Sequence, residues 1–184
     1  MKNTPFKVRI AVASDIPAIR SLMARSIAEL QKGFLSPAEI EASKEVMGLD
    51  TQLIDDRTYF AVTEADAIVG CGGWSRRRTL FGGDHSAGRD AALLTPGTDA
   101  AKIRAMYTDP AHVRRGIGRL ILDACEAAAA AEGFTRLEMG ATLAGVPLYE
   151  ACGYRKAALI PAKTGSGVEV PIWRMEKSLE RRRD

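Results

Sequence analysis

Asp109-Pro110-Ala111-His112-Val113-Arg114-Arg115-Gly116-Ile117-Gly118-Arg119-Leu120 is the stretch whose reading decides the fold. It joins a β-rich segment, Lys102 to Thr108, to an alanine-rich apolar run, Gly116 to Glu132. Asp109-Pro110 stops the strand, and the alanines favour helix. A helix start leaves about four backbone N–H groups without internal partners, and their dipoles make that end partly positive. An anion placed there satisfies both. Gly116 and Gly118 let the backbone approach it without a Cβ in the way. Arg114, Arg115 and Arg119 add charge-assisted donors. Two nucleotide motifs are excluded. No Gly-x-x-x-x-Gly-Lys-Ser/Thr string occurs, and the third glycine of a dinucleotide fingerprint is replaced by Ile121. From the turn alone, a tight glycine turn with solvated arginines remains the competing reading.

Working outward, Phe6 to Val12 reads as a strand. Ser14-Asp15 offers N-cap side chains to a helix whose apolar face is Ile16, Ile19, Leu22, Met23, Ile27 and Leu30, ended by Gly33. Ser36-Pro37-Ala38-Glu39 is a capping box opening a second helix to about Met47. Residues 51 to 56 add a possible further turn. Thr58 to Thr63 and Ala67 to Trp74 form a hairpin around Glu64-Ala65-Asp66. Residues 79 to 100, rich in glycine, form a long loop of the functional or mobile kind. In the strand Lys102 to Thr108, simple alternation puts Ile103, Ala105 and Tyr107 on one face, and Arg104, Met106 and Thr108 on the other. Thr135 to Ala141 is a strand, 145 to 152 a short helix, and Tyr154 to Ile160 and Val168 to Met175 are strands. The charged end, Glu180 to Asp184, is expected to fray. The order β-α-α-β-β-β-α-β-α-β-β argues an α/β (α+β) fold, with a mixed, mainly antiparallel central sheet and helices packed on it.

The chain has 184 residues, the length of a single domain, 1–184, with a sizeable core. Its 26 basic and 23 acidic residues leave a net charge of +3, too small an excess for a dedicated nucleic-acid binder. Cys71, Cys125 and Cys152 are odd in number and widely spaced, so buried reduced thiols are expected rather than a zinc or redox motif. With two histidines and no clustered ligands, metal catalysis has no support. The first residues lack a signal peptide's apolar run, and no window of about 18 apolar residues exists. A cytoplasmic protein, not held in a membrane, is the expectation.

The segment from Ala105 to Tyr154 resembles the core of the GNAT superfamily of N-acetyltransferases. The strand ending Tyr107-Thr108-Asp109-Pro110, the Arg-Arg-Gly-Ile-Gly turn and the alanine-rich helix carry the likeness. So does Leu148-Tyr149-Glu150-Ala151-Cys152-Gly153-Tyr154, which matches the family's Tyr-Glu-x-x-Gly-Tyr/Phe close. The tight match covers roughly a third of the chain. The resemblance implies helices on both faces of the sheet, and an acetyl-CoA cleft between the strands at 102–108 and 135–141. There the backbone of Met106, Tyr107 and Thr108 lines the pantetheine and acetyl group. The amides of Arg114, Arg115, Gly116, Ile117, Gly118 and Arg119 hold the pyrophosphate. Where the family usually has Gln or Arg, this chain has Val113, so backbone amides carry more of the grip.

Tyr149 matches the tyrosine that protonates the departing thiolate; its plainer reading is a core aromatic on a short helix. Its chemistry suits the role, since a phenol near pKa 10 is protonated where a thiol near 8.5 needs a proton. Glu29, Asp84, His85 and Glu138 are candidate bases by residue type only, with a water chain as the alternative. Arg76-Arg77-Arg78 is read as an acidic-substrate or 3′-phosphate site, or as a solvated strand end. The acceptor, a small-molecule or peptide amine, is expected to meet residues 27–40 and the 79–100 loop. A non-catalytic acyl-CoA sensor on the same fold is the alternative to an enzyme. A homodimer through the last strands is an expectation from fold analogy alone.

Overall fold

The computed structural model describes residues 5–179, so the readings made of the first four residues and of the Glu180–Asp184 tail lie outside the described residues. The chain runs β1 (Phe6–Ile10), α1 (Ile16–Leu30), α2 (Pro37–Ser43), α3 (Gln52–Asp55), β2 (Tyr59–Glu64), β3 (Ala67–Ser75) and β4 (Ala101–Thr108). It continues α4 (Ile117–Ala131), β5 (Arg136–Thr142), α5 (Val146–Ala151), β6 (Arg155–Lys163) and β7 (Glu169–Ser178). Short 3₁₀ turns at Ala13–Asp15 and Pro110–His112 lead into α1 and towards α4. The strands form one 7-stranded sheet in the order β1-β2-β3-β4-β5-β7-β6. Neighbours are antiparallel except β4 and β5, which run parallel.

Helices cover both faces, as the resemblance implied. The α1 stripe Ile19, Leu22, Met23 and Ile27 packs on Tyr59, Ala61, Cys71 and Tyr107. The α4 stripe Ile117, Ile121, Leu122, Cys125 and Ala129 packs on Trp74, Ile103, Leu137 and Met139 on the opposite face. The intervals of three and four bury one side of each helix. Each fully buried aliphatic side chain, Leu22 and Leu122 among them, contributes about 1.5–3 kcal/mol of transfer free energy. All three cysteines are free and buried. Burial pushes the Cys71 thiol up to about 12, against a smaller lowering by Tyr59.

Two local readings are corrected. Neither Ser14 nor Asp15 caps α1 by its side chain. The Asp15 carboxylate turns back to accept from the Val12 amide and both Arg9 terminal nitrogens, which holds its pKa below the ordinary carboxylate value. The second helix stops at Ser43, well short of Met47. Its start was legible: Glu39 N–H donates to Ser36 Oγ at 3.2 Å and Ser36 N–H to Glu39 Oε2 at 2.7 Å.

The main correction falls on β4. Cys71 pairs with Tyr107 but Gly73 with Arg104, so three steps along β4 oppose two along β3. The extra residue is a bulge at Ala105, whose φ is +50°. Side-chain parity flips there. Ile103 and Met106 share the α4 face, while Tyr107 points into the α1 core. The strict alternation read from sequence fails because a bulge adds a residue that periodicity cannot show.

The bulge is held from behind. Tyr59 Oη, in a fully buried side chain, donates to the Ala105 carbonyl at 2.8 Å. Removing that hydroxyl leaves a carbonyl without its partner, which costs about 1–3 kcal/mol. Tyr59→Phe is therefore expected to lower unfolding free energy by that amount in urea titration. It should also loosen the gap that the bulge opens between β4 and β5. An unchanged unfolding midpoint would show that the bond carries no weight.

Loop 76–100 lies over a polar stretch of sheet. Arg104, only 2% exposed, donates to Thr79 O at 3.1 Å and Gly82 O at 2.5 Å, and pairs with Asp50 at 3.0 Å. Asp50 also binds Arg89 at 2.5 Å. The loop expected to be functional or mobile is thus pinned at its first half by a buried guanidinium.

Candidate active site

β4 and β5 pair only at Ala101↔Leu137, Lys102↔Glu138 and Ile103↔Met139. Beyond Ile103 the bulge turns β4 away, while β5 stays on β7 through Thr142↔Ile172. The two strands splay, and the gap between them is the cleft. Its wider part, about 250 Å³, is walled by Met106, Tyr107 and Thr108 on one side and by Thr142, Gly145 and Tyr149 on the other. Val113, Gly118 and Leu148 also line it, and Ser26, Leu30 and Gln31 of the α1 end face it. A smaller cavity of about 70 Å³ continues towards Phe81, Arg104 and Gly140. Met47, Met106, Tyr107, Thr142 and Tyr149 line both.

The predicted turn stands at the mouth of this cleft. Gly116 is the N-cap of α4 in the left-handed region, φ +86°, and Arg114 is also left-handed, φ +62°. The first intrahelical bond is Leu120 N–H to Gly116 O at 3.1 Å. The amides of Ile117, Gly118 and Arg119 therefore have no carbonyl partner inside the helix. Gly118 permits a close approach: a Cβ there would lie 2.5 Å from Leu148 Cδ2, so that side-chain end would have to shift. That close approach docks α5 on the first turn of α4 and so sets the position of Tyr149.

The three arginines divide. Among the described residues Arg114 makes no ion pair. Arg115 is committed to Glu64 at 2.6 and 2.9 Å and lies over the Phe6 ring. Arg119 donates to the Ala151 carbonyl at 3.2 Å, tying α4 to the end of α5. The Ile117 side chain is 1% exposed in the core, so only its amide is left facing the turn. Asp109 anchors the approach to the turn, accepting from Ala111 N–H at 2.8 Å and from Arg25 of α1 at 2.6 Å. Burial alone would raise its pKa, but these donors outweigh it and hold the carboxyl below its ordinary value.

Tyr149 is 8% exposed and packs edge-to-face on Tyr154, ring centroids 6.2 Å apart. Among the described residues its hydroxyl has no protein hydrogen-bond partner. Burial pushes its pKa well above the ordinary tyrosine value, so the phenol keeps its proton across the neutral and mildly alkaline range. The neighbouring tyrosine hydroxyls each have a protein partner, Tyr154 as donor and Tyr107 as acceptor. Tyr154 Oη donates to Glu126 at 3.0 Å, and Tyr107 Oη accepts from Gly48 N–H at 2.9 Å.

Of the candidate bases, Glu29 and Glu138 lie off the cleft, while Asp84 and His85 line an adjoining cavity of about 510 Å³ that shares Met47 with it. Glu138 binds Lys102 and Arg174. Glu29 pairs with Lys32. Asp84 accepts from Thr51 and Arg89, and His85 Nε2 lies 2.7 Å from the Lys44 carbonyl. Among the described residues no carboxylate or imidazole lines either cavity of the cleft. Arg76 and Arg77 are spent on Glu132 and Asp56, so two of that triplet serve the fold rather than a phosphate.

The acceptor range expected from sequence, 27–40, holds Leu30 and Gln31 of this wall, but the reading missed Ser26 and the 46–48 segment, notably Met47. Gln31 carried a signal: it continues the α1 stripe four residues after Ile27, so a polar amide sits where a core residue belongs.

The family described as Acetyltransferase (GNAT) family matches residues 24–154. The chain belongs to the acetyltransferase (GNAT) family, acyltransferases that use acetyl-CoA as cosubstrate and act on amine acceptors. Solved structures share the fold. A GCN5-related N-acetyltransferase from Rhodopseudomonas palustris superposes with a TM-score of 0.70 at 19% identity, over 97% of this chain and 99% of that one. YncA from Salmonella typhimurium, solved with acetyl-CoA, gives 0.62 at 16% identity over 98% of each chain. PaiA N-acetyltransferase from Thermoplasma acidophilum, solved with coenzyme A, gives 0.62 at 12% identity, over 94% of this chain and 98% of that one. No curated protein matches. No helix among the described residues is long and apolar enough to cross a membrane.

Proposed function

We propose that this chain transfers the acetyl group of acetyl-CoA to a primary amine of a small molecule or peptide by direct attack, with Tyr149 as general acid. The observation that carries the reading is Tyr149, which lines both cavities and whose hydroxyl has no protein partner among the described residues. A buried phenol without a protein partner in a cleft wall has only a ligand or solvent to serve. The amides of residues 114–119 and the unpaired Arg114 fit a pyrophosphate, and the backbone of Met106, Tyr107 and Thr108 fits an extended pantetheine arm.

The chemistry balances as follows. The amine nitrogen forms the C–N bond at the acetyl carbonyl carbon, and the C–S bond breaks. Tyr149 gives its proton to the leaving sulfur and recovers one from solvent. The amine's surplus proton passes to water, because no carboxylate or imidazole lines the cleft among the described residues. The wide cavity also lacks a charged side chain, so it disfavours an ammonium and favours the neutral amine.

A free-thiol assay over a panel of amines, run from about pH 5 to 11, tests this. At least one amine class should accelerate thiol release. With it, kcat/KM should rise with pH up to the amine's own pKa, without an earlier break from a protein group. Because burial raises the Tyr149 pKa, the alkaline decline should begin above 10, the ordinary tyrosine value. Acetyl-CoA binding without amine-dependent thiol release would sink the proposal, and a break at pH 5 to 7 would restore a side-chain base.

A further inference from the structure

Gln31 ends α1 and is 2% exposed. Its backbone carbonyl accepts the amides of Phe34 and Leu35, each at 3.1 Å, which fixes the residue at the turn. Its side-chain nitrogen donates to Ser43 Oγ at 2.8 Å and to the Ile27 carbonyl at 3.4 Å. Its side-chain oxygen, Oε1, is buried and has no partner among the described residues.

The orientation of this amide is settled by its neighbour. Ser43 has one hydroxyl proton, and Oγ donates it to the Ile40 carbonyl at 2.7 Å. Towards Gln31 the serine can therefore only accept, so the group facing it is NH₂. Both protons of that NH₂ have acceptors, and flipping the amide would lose both bonds. What remains is an acceptor with no donor. A buried polar group left unpaired costs about 1–3 kcal/mol, so an orphan held by several fixed contacts points to a missing partner.

Gln31 lines the wide cavity beside Ser26, Leu30, Met47 and Tyr107, and Tyr149 lines the same cavity. Resting on the acetyl-transfer reading above, we infer that Gln31 Oε1 accepts a hydrogen bond from an N–H or O–H of the acceptor amine substrate. It is a binding and specificity residue. It selects acceptors that carry a donor at or beside the nucleophilic nitrogen, and the Ser43 clamp holds the amide in one orientation. Neutral recognition by an amide oxygen suits a cleft that disfavours an ammonium.

The test uses the most active amine of the panel. Gln31→Leu should raise the amine KM about tenfold or more, with the acetyl-CoA KM within threefold of wild type. Gln31→Met, of similar length and without an oxygen, replaces it if the leucine variant does not fold. Gln31→Glu should bring the amine KM back to within a few-fold. Burial favours its neutral acid, whose O–H can serve Ser43 while the carbonyl oxygen still accepts. Equal rises in both KM values, an unmoved amine KM, or no rescue by glutamate overturns the assignment. A wild type inactive towards every amine overturns the acetyl-transfer reading, and this inference with it. An active wild type with an unmoved variant overturns the Gln31 role alone.

Discussion

Replacing Tyr149 with phenylalanine is expected to lower kcat by about 10²- to 10⁴-fold, the usual contribution of a positioned acid, with the acetyl-CoA KM within threefold of wild type. The substitution is clean. The hydroxyl has no protein partner among the described residues, so no buried group is orphaned by its removal. The ring keeps its edge-to-face contact with Tyr154. The melting temperature should hardly move. One objection comes from the raised phenol pKa, which makes proton transfer to a thiolate near 8.5 look uphill. The same burial disfavours the thiolate, so both groups are shifted in one direction and the transfer is nearer balanced than values in water imply. Steady-state kinetics at saturating amine decides it. A kcat within threefold of wild type would mean that the thiolate leaves unaided and that Tyr149 only packs the wall.

Much of this was legible in the sequence because it rests on local rules. The turn at residues 113–120 is written in glycine placement at a helix start, and α1 and α4 in their apolar intervals. The capping box at Ser36 and Glu39 is a four-residue pattern. What could not be read depends on partners distant in sequence. The Ala105 bulge is defined against Cys71 and Gly73 and held by Tyr59, so nothing within Lys102–Thr108 announces it. The fates of the candidate bases follow the same logic. Glu138 is neutralised by Lys102 of the neighbouring strand and by Arg174 of β7. Arg115 looked equivalent to Arg114 until Glu64, at the end of β2, claimed it. The acceptor wall is hardest to read, since a single glutamine on a helical stripe gains meaning only when Ser43 fixes its amide.

The turn itself yields the other large effect. Gly116→Ala is expected to weaken acetyl-CoA binding by about 5- to 30-fold, whereas Arg114→Ala should cost no more than about fivefold. Gly116 sits at φ +86°, where a residue with a Cβ is disfavoured by about 1–2 kcal/mol. At 1.4 kcal/mol per decade that range gives the fold-change. The strain should appear in affinity rather than in stability. Nothing lies within 4 Å of the added methyl, so the cost is backbone strain rather than a clash, and the expectation is that the unliganded turn sheds part of it by shifting. Binding must then restore the left-handed conformation that aims the amides of Ile117, Gly118 and Arg119. An exposed arginine offers only a screened charge, worth about 0.2–1 kcal/mol. Arg115→Ala should be weaker still towards the ligand, because that side chain already serves Glu64. Isothermal titration at two salt concentrations separates the two effects: the Arg114 loss should shrink at high salt, and the Gly116 loss should persist. If Arg114→Ala proves the more damaging substitution at both salts, side-chain charge rather than backbone geometry grips the pyrophosphate, and Val113 has not shifted the anchoring to the amides.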